Sequence, residues 1–251
     1  MALIGINGRI GSGKDTVGMI LQALTMYEGS RWKDIPLEYV KAYEGRPNLK
    51  SGWEIKKFAG KLKQIASILT GIPKEKFEDQ EFKKTLLGEQ WNNYRVTWKH
   101  GDDGPGSMTF KTPYEAKFFI EQNFEDSVDE IVSSGLLTFE EMTVREFLQK
   151  LGTDALRDNL HRDIWVNALF ADYKEPDNWI ITDVRFPNEA QAIKDKGGIV
   201  IRIERGEQNT ENLHISETAL DDWEFDYVIN NNGSLEQLLE VTKTLLINIE
   251  N

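Results

Sequence analysis

The sequence contains no cysteine and only three histidines among its 251 residues. Because thiols are absent, the chain forms no disulfide bond and has no Cys/His catalytic pair. His214 has no histidine or cysteine partner at the spacing of zinc ligands, so a structural metal is not expected. These absences exclude a disulfide-stabilised scaffold and argue against a zinc-stabilised one.

Long apolar segments are also missing. No stretch approaches the length that spans a bilayer, and the apolar run from Ala2 to Ile6 is only long enough for a strand. No basic segment precedes that run, so the start of the chain does not resemble a secretory signal. We therefore expect a cytoplasmic protein without a membrane partner.

Positive charge is scarce relative to negative charge. The chain has 30 Lys and Arg residues against 42 Asp and Glu residues, which gives a net charge of −12. Such a surface repels polyanions, so a nucleic-acid partner is not expected, although a local basic pocket for one small phosphate ester remains compatible with it. Hydrophobic residues make up 39% of the chain, enough for the packed core of one α/β domain with or without an insertion.

The most informative segment present is Gly8 to Thr16, which reads Gly-Arg-Ile-Gly-Ser-Gly-Lys-Asp-Thr directly after the strand-like run. Glycines let successive backbone N–H groups curl around one anion, and the helix that follows directs its positive dipole end at the same place. The pattern predicts a phosphate-binding loop, with ATP held by Gly11, Ser12, Gly13, Lys14, Asp15 and Thr16. The alternative is a glycine-rich turn that only joins a strand to a helix.

Asp15 departs from the usual phosphate-loop pattern, in which a Ser or Thr follows the lysine and ligates Mg²⁺. A carboxylate at this position could hold the ion directly or through a water molecule. Thr16 would then be left to hydrogen-bond a phosphate. Asp15 is the metal-ligand candidate.

Apolar periodicity predicts strands alternating with helices, and therefore a parallel sheet covered by helices on both faces. Predicted strands are 2–6, 53–58, 179–183, 198–204 and 225–229. Predicted helices are 14–26, 59–70, 77–91, 115–134, a capped helix from Thr143 that residues 152–154 break, another from there through Leu160, then 163–173, 187–196 and a last one from Ser234.

We predict a single domain over residues 1–251. Its core comprises about 1–26, 53–70 and 143–251, and a helical insertion of about 75–140 would help bind an acceptor. A polar segment at about 205–218 lies between two strands. It could be a lid that closes over phosphates or an ordinary surface loop.

Polar residues follow the predicted strand 179–183, where ligands bind in parallel sheets. Asp183 could orient an acceptor or hold Mg²⁺ through water, or it could cap a helix or turn. Arg185 is placed to stabilise charge on transferring phosphates. Asn188 and Glu189 lie in the first turn of the next helix and are expected to face the same cleft.

Further basic residues have two interpretations each. Lys61 and Lys63 lie where the second strand meets its helix, and they are either ligand contacts or solvated surface charges. Arg145, Arg157 and Arg162 flank residues 152–154 and could converge on a monophosphate, although each alone is more often a surface charge. Trp165 could stack on a base or fill the core.

Taken together, the motifs resemble the deoxynucleoside monophosphate kinases of bacteriophages, a branch of the P-loop kinases. The matching residues are Gly8 to Thr16, Ala59-Gly60 with Lys63, Leu151 to Asp154, Asp163 to Val166, Asp183 with Arg185 and Glu189, His214 to Glu217, and Asn232 to Glu236. Residues 27–52 and 75–140 add little support. The family pattern itself carries Asp after the P-loop lysine, which implies a functional Asp15.

The resemblance implies ATP- and Mg²⁺-dependent phosphorylation of a deoxynucleoside monophosphate. The reaction would be a step towards dNTPs in the host cytoplasm. Whether the protein forms a homodimer is left open. It implies Lys14, Arg185 and Asp183 as catalytic residues. The acceptor contacts that it implies are Arg9, Lys61, Lys63, Arg145, Gly152, Thr153, Trp165, Asp183 and Glu189. The alternatives are a P-loop kinase of another small acceptor, such as dephospho-coenzyme A or a phosphorylated alcohol, and an NTP-driven switch ATPase.

Overall fold

The computed structural model describes residues 3–26, 33–43, 52–98, 106–124, 137–175, 177–206 and 217–250. The chain divides into two compact units, the first built from residues 1–64 and 157–251 and the second from residues 65–156. None of the helices in these described ranges combines the length and the apolar character needed to cross a membrane.

The strands of the described ranges are β1 Leu3–Asn7, β2 Trp53–Lys56, β3 Asn93–Trp98, β4 Gly106–Phe110, β5 Leu137–Glu140, β6 Asn178–Ile181, β7 Ile199–Glu204 and β8 Tyr227–Asn230. The α-helices are α1 Lys14–Leu24, α2 Leu37–Tyr43, α3 Phe58–Thr70, α4 Pro113–Asn123, α5 Val144–Gln149, α6 Ile164–Phe170, α7 Pro187–Asp195 and α8 Leu235–Glu250. Short 3₁₀ turns lie at Lys74–Glu78, Phe82–Lys84 and Glu89–Trp91, and a π-helical segment, Lys150–Asp158, follows α5.

A five-stranded sheet in the order β2-β6-β1-β7-β8 forms the centre of the first unit, and its strand pairs are parallel. The central strand β1 pairs on both sides, with Ile4 opposite Ile180 of β6 and Ile199 of β7. Its apolar run suits a strand that is buried on both faces. The predicted parallel sheet is therefore confirmed.

Helices cover both faces of β1. Ile4 and Ile6 point to one face, where they share a core with the buried side chains of α1 and α8. On the other face, a Cβ added at Gly5 would lie 2.7 Å from the Cδ1 of Ile193 in α7, so this helix packs directly on the strand. Burying each large apolar side chain contributes about 1.5–3 kcal/mol. The sandwich of helix, sheet and helix fixes the carboxyl ends of the strands at one edge.

The second unit contains an antiparallel sheet in the order β4-β3-β5. Helix α4 packs on it through Ala116 and Ile120, which share a buried cluster with Val96 of β3. The prediction of a helical insertion missed this sheet. The unit also extends beyond the predicted insertion 75–140, because it includes the second half of α3 and most of the π-helical segment.

The helix predicted over 77–91 is wrong, because this segment forms the three 3₁₀ turns instead. The Asp79 carboxylate accepts hydrogen bonds from the backbone N–H groups of Glu81 and Phe82, which offers the chain a local alternative to helix. Gly88 has a φ of 126°, which no helical residue adopts. Phe77 and Leu87 are nevertheless buried, in a cluster with Val144 and Phe147.

Other element boundaries also differ from the predictions. Helix α4 begins at Pro113 rather than 115, because Thr112 and Glu115 form a capping box. The remainder of that predicted helix, 125–134, lies outside the described residues. Gly152 does not interrupt the helix after Thr143, because α5 continues into the π-helical segment. Strand β2 ends two residues before the predicted end of 53–58, and strand β8 begins two residues later and ends one residue later than predicted for 225–229.

Candidate active site

Polar residues from all five parallel strands gather at the carboxyl edge of the sheet. The glycine-rich turn follows β1, Lys57 follows β2, Thr182 follows β6, Arg205 follows β7 and Asn231 follows β8. In parallel sheets this edge is where ligands bind. The first unit therefore presents its polar side chains at the place that the topology predicts for a site.

The glycine-rich turn has the conformation of an anion cradle. Gly11 and Gly13 have φ values of 79° and 95°, in the left-handed region that favours glycine. Helix α1 starts directly afterwards at Lys14, and nothing lies within 4 Å of a Cβ placed at Gly11. The N–H groups of the first helical turn have no partner within a helix, so they are available to an anion.

Asn231, which follows the edge strand β8, holds the glycine-rich loop in place. Its Nδ2 donates to the Ser12 carbonyl at 2.8 Å, and a Cβ added at Gly13 would collide with the same Nδ2. The Ser12 side chain beneath the loop is buried. Sequence reasoning did not single out Asn231, although its position directly after β8 was a usable signal.

Lys14 lies against the loop, with Nζ donating to the Arg9 carbonyl at 3.4 Å. Burial lowers the pKa of the Lys14 ammonium below its ordinary value, although the Asp15 carboxylate opposes the shift. Arg185 and Glu217 also act electrostatically on this ammonium. The structure therefore places Asp15, Arg185 and Glu217 close enough to Lys14 to act on its charge, and the functional roles of these residues stay predictions.

Asp15 joins α1 to two neighbouring strand ends. Its Oδ1 accepts from the Thr182 hydroxyl at 3.0 Å and lies 2.8 Å from Lys57 Nζ. Burial alone would raise the pKa of the Asp15 carboxyl, but the hydrogen bond and charge of Lys57 bring it below its usual value. The carboxylate is therefore ionised and keeps 60% of its side chain exposed. Sequence reasoning missed both Lys57 and Thr182.

Arg185 is held at both ends. Its backbone N–H donates to Glu189 Oε2 at 2.8 Å, and its Nη1 donates to Glu217 Oε1 at 3.1 Å. The other carboxylate oxygen of Glu217 accepts from the backbone N–H of Ile10 at 3.2 Å. Glu217 therefore links Arg185 to the glycine-rich turn.

Asp183 caps a helix. Its two carboxylate oxygens accept from the backbone N–H groups of Phe58 at 2.8 Å and Ala59 at 2.9 Å, at the start of α3. Burial raises the pKa of the Asp183 carboxyl, although these N–H groups and Arg185 act against the shift. The geometry corresponds to the capping interpretation, and direct contact of Asp183 with a ligand stays a prediction.

Glu189 is a buried carboxylate that contacts Arg157 and the Arg185 backbone. Its Oε1 accepts from Arg157 Nη2 at 2.7 Å, and the two side chains are 3% and 9% exposed. Burial raises the pKa of Glu189 to about 7, although Arg157 opposes the shift. Its neighbour Asn188 donates to Asp163 Oδ1 at 2.8 Å. Glu189 thus holds Arg185 and Arg157 in place, and its contact with an acceptor stays a prediction.

The remaining predicted site residues of the first unit are Arg9, Lys61, Lys63 and Trp165. Arg9 Nη2 lies 3.2 Å from Asp221 Oδ2, and Lys61 Nζ lies 2.5 Å from Asp172 Oδ2. Lys63 is buried, and so is Trp165, which is 5% exposed. The burial of Trp165 corresponds to the core interpretation, and base stacking stays a prediction.

Other predicted residues lie in the second unit. Arg145 Nη2 donates to Gln80 Oε1 at 3.2 Å, Gly152 is buried, and Thr153 lies in the π-helical segment. π-Helical turns are frequent at functional sites, but the acceptor-binding roles of these residues stay predictions. Of the predicted lid, 207–216 lies outside the described residues, including His214.

The described residues contain no group of three or more His, Cys, Asp or Glu side chains that could hold a metal ion. Mg²⁺ does not require such a group, because it is commonly bound through one or two carboxylates together with substrate phosphates and waters. The ionised, partly exposed Asp15 beside the anion cradle has the chemistry for this role.

The glycine-rich turn joins the first parallel strand to its helix and is followed by a lysine, and helices cover both faces of the sheet. This combination defines a P-loop protein of the α/β kinase type. A sequence model of the deoxynucleotide monophosphate kinase family matches residues 106–242, more than half of the 251-residue chain. The chain therefore belongs to the deoxynucleotide monophosphate kinase family.

Individual relatives agree with this assignment. The chain is 30% identical over 146 residues to the deoxynucleotide monophosphate kinase of Enterobacteria phage T4, an alignment covering 54% of this chain and 61% of the relative. It is 27% identical over 204 residues to the deoxynucleoside-5'-monophosphate kinase of Escherichia phage T5, covering 77% and 72%. It is 31% identical over 109 residues to the deoxynucleotide monophosphate kinase of Escherichia phage RB69, covering 41% and 45%. The matched part spans less than two thirds of the T4 and RB69 proteins.

Proposed function

We propose that this protein transfers the γ-phosphoryl group of ATP to a deoxynucleoside 5'-monophosphate and so forms the diphosphate. The observation that carries the proposal is the anion cradle at Gly11 and Gly13, placed beside two cations, Lys14 and Arg185. Membership of a family whose relatives are named as deoxynucleotide monophosphate kinases supports the same reaction.

The cradle is the proposed site of the ATP phosphates. The left-handed glycines and the start of α1 direct backbone N–H groups to one point, and Lys14 adds a cation there. Since the pKa of Lys14 is lowered by burial, a bound polyphosphate would also restore favourable charge around its ammonium. Thr16, in the first turn of α1, is proposed as a phosphate hydrogen-bond donor.

Asp15 is the proposed Mg²⁺ ligand, directly or through water. A bound Mg²⁺ would neutralise phosphate charge during transfer. Asp15 would bind the ion while its Oδ1 atom is also in contact with Lys57 and Thr182. Its ionised state and its 60% exposure make this compatible.

Arg185 is proposed as the cation that stabilises the transferring phosphoryl group. The acceptor phosphate is already largely a dianion near neutral pH, so an in-line attack requires neither a general base nor a covalent intermediate. The protein would then act by orienting the two substrates and by neutralising phosphate charge with Lys14 and Arg185. Asp183 and Glu189 also support this arrangement through their hydrogen bonds to the start of α3 and to the Arg185 backbone.

Further acceptor contacts are proposed at Arg9, Lys61, Lys63, Arg145, Gly152, Thr153, Trp165, Asp183 and Glu189, and Asp183 is also a proposed catalytic residue. The domain is proposed as one P-loop kinase domain in which residues 75–140 take part in acceptor binding. The physiological setting is proposed as dNTP synthesis for phage DNA replication in the host cytoplasm. Neither nucleic acid nor a membrane is a proposed partner, and a homodimer is a further proposal.

The test is a product assay across acceptors. The purified protein is incubated with Mg-ATP and, separately, with each deoxy- and ribonucleoside monophosphate, dephospho-coenzyme A, a phosphorylated alcohol, or no acceptor, and products are resolved by chromatography. The proposal predicts nucleoside diphosphate with at least one deoxynucleoside monophosphate. Product formed only from dephospho-coenzyme A or the alcohol, or ATP hydrolysis that is independent of an acceptor, would contradict it.

A further inference from the structure

Glu217 has a largely covered carboxylate that bridges the backbone of the glycine-rich turn and the guanidinium of Arg185. One oxygen accepts from the Ile10 N–H at 3.2 Å, and the other accepts from Arg185 Nη1 at 3.1 Å. We infer that Glu217 is a positioning residue, which fixes Arg185 against the P-loop for phosphoryl transfer. This inference rests on the proposed kinase function.

The exposure of the two side chains supports a holding role. The Glu217 side chain is 9% exposed, whereas the Arg185 side chain is 38% exposed. The bridge therefore holds Nη1 of a side chain that is itself partly exposed. Arginine presents several N–H donors in a planar fork, so one donor can be held by a carboxylate while others meet a phosphate.

The segment that carries Glu217 is itself anchored. Asp221 accepts from Arg202 Nη2 at 2.7 Å and from Arg9 Nη2 at 3.2 Å, and Arg202 Nη1 donates to the Leu220 carbonyl at 3.2 Å. The Leu220 side chain is buried, at 2% exposed. The turn that carries Glu217 is therefore fixed to β7 and to the glycine-rich turn. Because Glu217 has a defined position, its carboxylate can hold Arg185 in a defined position as well.

The other end of Arg185 is fixed as well, by the bond from its backbone N–H to Glu189. A long arginine side chain loses rotamer freedom when it is ordered, and a residue ordered in advance does not lose that freedom during the reaction. Glu217 therefore acts on the reaction through Arg185 and need not touch either substrate. Its removal is expected to lower kcat and kcat/KM together, since the interaction of Arg185 is strongest in the transition state.

A double-mutant cycle between Glu217 and Arg185 tests the inference. Glu217→Gln keeps the size of the side chain but removes its charge. The amide has one acceptor oxygen and one donor nitrogen, so the nitrogen would face an N–H donor of Ile10 or of Arg185. In the wild-type background we expect kcat to fall by about tenfold or more. Arg185→Ala alone is expected to lower kcat by about a hundredfold. In that background Glu217→Gln should cost less than about twofold, because the group through which it acts is gone.

Two outcomes would overturn the inference. Equal losses in both backgrounds would show that Glu217 acts independently of Arg185, and a higher kcat/KM in Glu217→Gln would show that the carboxylate competes with phosphate. Glu224→Gln is the control, because it removes one exposed negative charge a few residues away and should leave kcat unchanged. If Glu217→Gln does not fold, Glu217→Asp keeps the charge on a shorter arm. It should give an intermediate loss that disappears in the Arg185→Ala background.

A second readout does not depend on activity. In protein labelled with ¹⁵N-arginine, rotation of the Arg185 guanidinium is measured by NMR in the wild type, in Glu217→Gln and in Glu224→Gln. We expect faster rotation only in Glu217→Gln, and unchanged rotation would overturn the inference. If the wild type phosphorylates no deoxynucleoside monophosphate, the proposed function fails, and this measurement still decides the role of Glu217.

Discussion

Lys57 Nζ lies 2.8 Å from the Oδ1 atom of Asp15, so the end of strand β2 is joined by an ion pair to the helix that starts at the P-loop. The pair links residues 42 positions apart in the sequence. It also explains why the pKa of Asp15 lies below its usual value even though burial acts in the opposite direction.

Lys57→Met should raise the pKa of Asp15. Burial favours the protonated carboxyl, and Lys57 provides the largest opposing effects through its hydrogen bond and its charge. The pKa is measured by NMR titration of the Asp15 carboxyl carbon. Lys56→Met is the matched control, because Lys56 pairs with Glu54 and not with Asp15. An Asp15 pKa that is the same in wild type and Lys57→Met would rule out the ion pair in solution.

Gly13→Ala should weaken both the fold and nucleotide binding. Alanine at a φ of 95° is strained by about 1–2 kcal/mol, and its Cβ would collide with Asn231 Nδ2. Gly197→Ala is the control, since Gly197 has a φ of 73° with nothing within 4 Å of its Cβ. Both variants are expected to lose stability in urea unfolding. Only Gly13→Ala should lose ATP affinity in calorimetry, and equal ATP affinity in the two variants would contradict the cradle.

Asp183→Asn should destabilise the first unit. The amide offers one oxygen where the carboxylate offers two, so one of the N–H groups of Phe58 and Ala59 loses its acceptor. An unsatisfied buried donor costs about 1–3 kcal/mol. Asp222→Asn, at an exposed position on the same unit, should change the free energy of unfolding by less than about 0.5 kcal/mol. If the two substitutions have the same effect, the capping role of Asp183 is wrong.

Glu189 should give the protein a pH-dependent stability. Its pKa is about 7 in the folded protein against the ordinary value of 4.5. An acid with a raised folded-state pKa binds its proton more tightly when folded, so its contribution is fully present below pH 4.5 and is lost as the pH rises through about 7. Urea unfolding across that range should therefore show a negative slope that is smaller in Glu189→Gln. Identical slopes in the two proteins would contradict the raised pKa.

The sequence was sufficient to predict the P-loop half of the fold. A buried run before Gly8, helical periodicity after Lys14 and an apolar strand before Asp183 are local signals, and the structure confirms the parallel sheet that they predict. The family resemblance is confirmed as well. These features depend on residues that are close together in the sequence.

The second unit was harder to predict because its signals are short. Strand β3, Asn-Tyr-Arg-Val-Thr-Trp, and strand β4, Gly-Ser-Met-Thr-Phe, flank a cluster of Gly, Asp and Pro, a pattern typical of a hairpin. That pattern was the available evidence for the antiparallel sheet. In the segment of 3₁₀ turns at 74–91, Asp79 accepts from the backbone N–H groups of Glu81 and Phe82, and periodicity does not reveal this local competition with a helix.

The partners within the site depend on tertiary structure. Lys57, Thr182 and Asn231 contact the P-loop or its helix from three other strand ends, and none of them belongs to a recognisable sequence motif. Position directly after a parallel strand was the one usable signal. Likewise, Asp183 and Glu189 were predictable as residues near the site, but their hydrogen bonds to α3 and to Arg185 were not.

The most direct test of the account is the fate of the γ-phosphate of ATP. With ATP labelled at that position and a deoxynucleoside monophosphate as acceptor, the wild type should place the label on the β-phosphate of the diphosphate product. Lys14→Met should reduce this transfer by about a hundredfold or more, while Lys41→Met, at an exposed position on α2, should leave it unchanged. Label released as inorganic phosphate, or equal transfer by Lys14→Met and the wild type, would contradict the account.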